Sequence, residues 1–104
     1  MKTSDLSGAA LDYVVAECEG VIYHGPAWTK YSTDWSQGGP IIERERIELK
    51  YLGYNNPPYW GALKFSPSKY ERKAAIGPTP LIAAMRCYVE SKLGDTVNLP
   101  EELQ

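Results

Sequence analysis

Thr79-Pro80-Leu81-Ile82-Ala83-Ala84-Met85-Arg86-Cys87-Tyr88-Val89-Glu90-Ser91-Lys92-Leu93-Gly94 decides how this chain folds. Thr79 is a natural N-cap, and Pro80 suits the first helical position, where a missing N–H costs nothing. Leu81, Ile82, Met85, Tyr88, Val89 and Leu93 recur at helical spacing and form an apolar stripe. Lys92 falls in the last turn, and Gly94 supplies the stop. A helix with such a stripe must be covered by other elements, so the rest of the chain is read as its cover.

A second helix is signalled over residues 8–19. Ser7 is placed to cap it, Leu6 and Leu11 to form a hydrophobic staple, and Gly20 to end it. Leu11, Val14, Val15 and Cys18 give the inner face; Asp12, Glu17 and Glu19 are expected to point outward. Ile47, Leu49 and Tyr51 alternate with Glu48 and Lys50, which predicts a strand over residues 47–52. Residues 53–58, rich in Gly, Asn and Pro, form the turn, and residues 59–65 return as the partner strand of an antiparallel hairpin. Residues 66–77 read as a long polar connection.

The stretch before the hairpin is harder to divide. Val21-Ile22-Tyr23 is a short β-type run closed by Gly25-Pro26, and residues 28–31 read as a second short strand. Asp34 could cap a helix, but a proline deep inside one clashes with the carbonyl four residues back. The expectation is therefore a turn over 35–38 and a fresh helix over 40–46 opening on Pro40. Ile41 and Ile42 would face the core, with Glu43-Arg44-Glu45-Arg46 solvated. Residues 95–104 form a tail pinned by Val97 and Leu99. The fold class is α/β (α+β): one domain over 1–104, with a small antiparallel sheet of three to four strands sandwiched or covered by two to three helices. Glu48 and Lys50 on one strand face keep a two-layer version, with that face uncovered, open beside cover on both faces.

Composition narrows the chemistry. The chain has 104 residues, eight Tyr and three Trp against one Phe, one His and two Cys. A single His cannot build a His-rich metal site, and two Cys cannot supply four thiolates. A net charge of −2 lacks the basic footprint of a non-specific nucleic-acid binder. With no apolar run of membrane-spanning length and no apolar signal core after Met1, the expectation is a cytosolic protein with Cys18 and Cys87 reduced, a Cys18–Cys87 disulfide being the minority alternative.

Three blocks carry a resemblance. They are Lys2-Thr3-Ser4-Asp5-Leu6-Ser7-Gly8-Ala9-Ala10-Leu11-Asp12, then Tyr31-Ser32-Thr33-Asp34-Trp35-Ser36-Gln37-Gly38-Gly39-Pro40-Ile41-Ile42-Glu43-Arg44-Glu45, and Ile76-Gly77-Pro78-Thr79-Pro80-Leu81-Ile82-Ala83-Ala84-Met85-Arg86. In order and spacing the chain resembles the NinX-like family of tailed-phage proteins. It is distantly similar to phage α-β-α sandwich domains that share a Tyr-Ser-Thr-Asp turn before a helix. The resemblance implies a small phage or prophage accessory protein acting in the cytoplasm of the infected bacterial host, and it carries over no catalytic residues. Residues 52–73 match no known pattern.

Little in the chain could break a bond. His24 lacks a nucleophile motif around it and reads as a surface residue at a strand end. Cys18 and Cys87 fall on helix faces, where inert buried thiols are the commoner case. Gly38-Gly39-Pro40 and Gly77-Pro78-Thr79 each precede a helix start, a geometry that offers backbone N–H groups to an anion, although a plain helix start is the commoner meaning. They gain weight if they converge beside the hydroxyls of Ser32, Thr33 and Thr79. Trp28, Tyr31, Trp35, Tyr51, Tyr54, Tyr59 and Trp60 read equally well as core or as surfaces on which a ring could stack. Trp35, between Asp34 and Ser36, is expected to be exposed. Arg44, Arg46, Lys69, Arg72, Lys73 and Arg86 could contact phosphate, although a solvated face is the commoner fate of such residues.

These residues support a non-catalytic protein, without a cofactor, that sequesters an anionic nucleotide-like small molecule. In a phage setting that ligand would be a host immune signal, and the protein an anti-defence sponge. The site would use Tyr31, Ser32, Thr33, Asp34, Trp35, Gly38, Gly39, Trp60, Gly77, Pro78, Thr79 and Arg86. A chain this small has little room for a deep pocket, so a homo-oligomer with sites near an interface is expected. The alternative is a protein-interaction factor of phage recombination or replication, presenting its Glu/Arg helix and the loop 55–58. Hydrolysis of a nucleotide signal ranks last.

Overall fold

The computed structural model describes residues 1–66 and 70–104. In chain order it contains α1 (Gly8–Glu19), α2 (Trp35–Glu45), β1 (Glu48–Leu52), β2 (Tyr59–Ser66), β3 (Glu71–Gly77) and α3 (Pro80–Leu93), with 3₁₀ turns at Thr3–Asp5 and Glu101–Leu103. The fold is α+β, with three strands in one antiparallel sheet of order β1-β2-β3.

Helix α3 forms as its sequence dictates. Thr79 accepts the Ile82 N–H, Pro80 opens the first turn, and Gly94 ends the helix with its N–H on Glu90 O. Leu81, Ala83, Ala84, Met85, Cys87, Tyr88 and Val89 are all buried, a set too wide for one stripe. The width has a cause in the packing. One side of α3 lies on the sheet, while α1 and α2 pack elsewhere on the same helix.

The sheet presents Leu49, Ala62 and Ala75 toward α3, directly across the strands from one another. The opposite face carries Glu48, Lys50, Leu52, Leu63, Phe65, Arg72, Ala74 and Ile76 by strand alternation, and no helix covers it among the described residues. Of the two arrangements that the sequence left open, this is the two-layer one. At the other end, the termini clasp: Lys2 bridges Thr96, Val97 N–H donates to Met1 O, and Val97 and Leu99 are buried as expected.

Several expectations need correction. The polar stretch 66–77 is in large part a strand, β3. Its charged Glu71 and Arg72 and its two alanines carry little strand signal, but full registration with β2 and burial of Ala75 against α3 hold it in the sheet. Lys69 lies outside the described residues. The strands expected at 21–23 and 28–31 do not form, because neither segment has a neighbouring strand edge. Gln37 supplies a substitute partner: Lys30 N–H donates to its Oε1 at 2.8 Å, and its Nε2 donates to Trp28 O at 3.0 Å. Val21, Ile22 and Trp28 are left exposed.

The turn expected at 35–38 and the helix expected to open on Pro40 are instead one helix, α2, capped by Asp34 through Ser36 N–H at 2.9 Å and carrying Pro40 inside it. The glycines ahead of Pro40 are not a break. A Cβ on Gly38 would sit 2.5 Å from Tyr31 O and 2.7 Å from Leu81 Cδ2, so glycine lets the helix start approach both. Nor is the Glu43–Arg46 run simply solvated: Arg44 bonds Glu19 at 2.7 and 3.0 Å and Glu45 at 2.8 Å. Glu19 in turn accepts the Tyr88 hydroxyl, so it faces α3 rather than water. Ser7 makes no side-chain cap bond to α1.

Asp12 is the clearest reversal. It is buried, and Ser32 N–H donates to its Oδ1 at 2.8 Å. Burial raises its pKa, while the bonds from Ser32 pull it back down. The bond ties the chain between α1 and α2 to the inner face of α1. Asp12→Ala leaves the Ser32 N–H buried without a partner and should cost about 1–3 kcal/mol in urea unfolding. Asp12→Asn keeps the acceptor without a buried charge and should retain most of the stability.

Candidate functional site

The two helix starts converge. Gly38 packs against Leu81, which brings the first turn of α2 onto the first turn of α3. Between them is a cleft of about 230 Å³ lined by Ser32, Thr33, Trp35, Thr79, Pro80, Leu81 and Ile82. Trp35 stands half-exposed at its rim. Four residues expected at a site, Ser32, Thr33, Trp35 and Thr79, therefore do meet.

The electrostatics of this cleft are modest. Thr79 Oγ1 already takes the Ile82 N–H at 3.1 Å, and Asp34 takes both the N–H and the hydroxyl of Ser36. The Ser36 hydroxyl and amide hold the Asp34 carboxyl below its usual range, so a negative charge sits at the α2 start. A charged cap favours the helix dipole but competes with an incoming anion for the same N–H groups.

A second groove, of about 350 Å³, lies on the other side of the Pro78–Thr79 step. Asn55, Asn56, Pro57, Pro58, Tyr59, Ile76, Gly77, Pro78 and Arg86 line it. The Trp60–Gly77 register places the Tyr59 end of β2 beside Pro78, and the loop before β2 forms the far wall. Gly77 is required for the near wall, because a Cβ there would lie 2.7 Å from Ala83 N in α3. Arg86 reaches the groove from α3. Its Nε donates to Leu6 O at 2.7 Å and its Nη1 to Ile76 O at 2.9 Å. Among the described residues no carboxylate pairs with it. Burial lowers its pKa, and Asp5 offsets this in part.

The remaining expected residues support the site or lie away from it. Tyr31 is half-buried against the core, and its carbonyl is what Gly38 approaches. Gly39 lies beside the Trp35 ring, where an added Cβ would come no nearer than 3.9 Å to Cε3. Trp60 lines neither opening; it packs on the core and on Tyr51, ring centroids 5.1 Å apart. Arg44 is committed to Glu19 and Glu45. His24 lies in a loop rather than at a strand end, its backbone N–H on Thr29 Oγ1 at 3.0 Å. Cys18 and Cys87 are free, and burial pushes both thiols up to about 11.

Residues 2–92 match the family described as Bacteriophage P22, NinX. The chain belongs to the NinX family. Compared with curated proteins, it matches none. The matched span contains both openings and every element from α1 into α3; Met1 and residues 93–104 lie outside it. Among the described residues of this NinX-family chain, no helix is long and apolar enough to cross a membrane.

Sequence reasoning missed Asn55–Tyr59 and Ile76 as parts of one groove. The turn residues of the loop were plain, but only the pairing of β2 with β3 places that loop beside Gly77 and Arg86. The two glycines facing α3 and Trp35 should answer differently to a methyl group. Gly77→Ala forces a backbone shift at Ala83 and should cost about 1–3 kcal/mol in thermal unfolding. Gly39→Ala meets no atom nearer than 3.9 Å and should be neutral, or stabilising by up to about 1 kcal/mol through helix propensity.

Proposed function

We propose that this NinX-family chain is a non-catalytic binding protein that sequesters an anionic, nucleotide-like small molecule in the cytoplasm of the infected host. In a phage setting the fitting ligand class is a nucleotide-derived host immune signal, withheld from its receptor by stoichiometric capture. The observation that carries this reading is the pair of openings about the Gly77–Pro80 segment. One has a half-exposed indole at its rim; the other has a guanidinium that, among the described residues, forms no ion pair with a carboxylate. A ring and an anion are what such neighbours hold. The buried thiols and the loop-borne His24 offer no activated nucleophile.

Calorimetry against a panel of cyclic nucleotides and ADP-ribose-type signals tests the reading. One class should bind in the micromolar range or tighter and be recovered unchanged. Absence of heat from every member up to high micromolar overturns sequestration, and turnover to product overturns the non-catalytic part.

A second reading, a protein-interaction factor of phage recombination or replication, is favoured by the uncovered sheet face. Leu52, Leu63 and Ile76 form an apolar strip there, with Ile76 55% exposed, around a depression of about 450 Å³. The same face suits a second copy of the chain. Glu48, Lys50 and Arg72 place both signs of charge around the strip, so two-fold-related copies can set unlike charges opposite each other. We propose a homo-oligomer formed through this face. Light scattering should give a multiple of 11.6 kDa, and Ile76→Lys, at an exposed position, should return the monomer mass with the melting temperature little changed. A wild-type monomer overturns self-association. A stoichiometric protein captured from infected cells through this face, with no small-molecule heat, replaces the first reading by the second.

A further inference from the structure

We propose that the anion seat is the Arg86 groove and not the helix starts, and that its occupant is a ligand of mononucleotide size. The negative group would sit on the guanidinium, and the ring would lie against Pro57, Pro58 and Tyr59. This rests on the sequestration reading and gives it a location and a ligand class.

Three observations favour Arg86 over the α2–α3 cleft. The guanidinium has five N–H donors in a planar fork, and the structure engages two groups of it, Nε with Leu6 O and Nη1 with Ile76 O. Both acceptors are neutral backbone carbonyls, so they orient the fork without cancelling its charge; Asp5 acts on the guanidinium from a distance but, among the described residues, forms no ion pair with it. In the other cleft, the Ile82 and Ser36 amides are already taken by Thr79 and Asp34, and Asp34 adds a negative charge. A charge-assisted bidentate bond to a phosphate or carboxylate is about twice as strong as a neutral one, which decides between the two openings.

The rest of the groove restricts what the anion can be attached to. Its walls are largely apolar, with Pro57, Pro58, Tyr59, Ile76 and Pro78 exposing flat or branched carbon surface. Asn55 Nδ2 is tied to Leu52 O at 3.1 Å, which fixes that residue in the wall, whereas the exposed Asn56 makes no side-chain hydrogen bond among the described residues. An amide beside an apolar shelf can pair with the donor–acceptor edge of a base. The volume of about 350 Å³ lies at the small end of ligand sites, about 300–1,000 Å³, which suits one nucleotide unit and not a dinucleotide held whole.

Adenosine 5′-monophosphate and inorganic phosphate are the probes, titrated calorimetrically into the full chain. The nucleotide should bind wild type, with phosphate competing weakly. Arg86→Gln should weaken the nucleotide at least tenfold. Because Arg86 also anchors Leu6 and Ile76, Asn56→Asp serves as a second variant: it lies on an exposed loop, leaves the core untouched and sets a carboxylate in the groove. It should weaken binding by a similar factor with an unchanged melting temperature. Nucleotide binding that survives Asn56→Asp but is lost in Trp35→Ala overturns the Arg86 seat and leaves sequestration standing. Phosphate binding as tightly as the nucleotide overturns the ring shelf. Wild type that binds neither the nucleotide nor any signal of the panel overturns the sequestration reading itself.

Discussion

The entry into α3 is the constraint on which the rest of the structure depends. Gly77 ends β3 with its Cα so close to the helix that a Cβ would lie 2.7 Å from Ala83 N and 3.0 Å from Ile82 Cγ2. Ala83 and Ala84, both without exposed surface, continue that close approach along the helix. Small residues here bring the sheet and α3 together at short range, and the buried Met85, Tyr88 and Val89 then serve as the floor on which α1 and α2 can pack. A helix buried from two directions fixes the order of layers: sheet, α3, then the other two helices. It also leaves one sheet face without a cover, since the described residues contain no further α-helix to lie there.

Polar bonds decide how the long irregular stretch between α1 and α2 lies on this frame. A segment with no strand partner must satisfy its backbone in other ways. Asp12 reaches from α1 to Ser32 N–H, Gln37 reaches back from α2 to both Trp28 O and Lys30 N–H, and Thr29 takes the His24 N–H. These side chains hold Ser32 and Thr33 against the first turn of α3, and so they build one wall of the first cleft. Arg86 has the same role on the other side, where it ties Leu6 and Ile76 through neutral carbonyls and, among the described residues, forms no ion pair. Scaffold and site thus share residues, and binding chemistry would be exposed to any change in the packing beneath it.

A related network pins α1 to α2 and α3. Arg44 spans Glu19 and Glu45, and Glu19 accepts the Tyr88 hydroxyl. The Arg44 bonds hold the Glu19 carboxyl below its ordinary range, against the opposing effect of burial. Because its folded pKa is lowered from 4.5, this group contributes stability above that pH and loses it as acid protonates the carboxylate. Charges that look like a solvated alternating run in sequence are here the link between three helices.

What the sequence determined by itself were the features with local causes. The stops of α1 and α3, the Thr79 cap of α3, the hairpin alternation of Ile47, Leu49 and Tyr51, and the family blocks are all written in neighbouring residues. Trp35 was legible as exposed because it stands between Asp34 and Ser36 at a helix start. Tertiary structure alone decided the rest. Ala74 and Ala75 join a strand only because β2 is there to pair both of them and α3 to cover Ala75. Pro40 sits inside a helix because Gly38 and Leu81 hold that helix start in place. Asp12 is buried because a backbone N–H twenty residues away needs an acceptor. The Arg86 groove is the strongest case, since its walls come from segments some twenty residues apart whose meeting follows from strand register. Periodicity and capping act over one or two turns of chain, whereas register and hydrogen-bond satisfaction are settled only when distant segments meet.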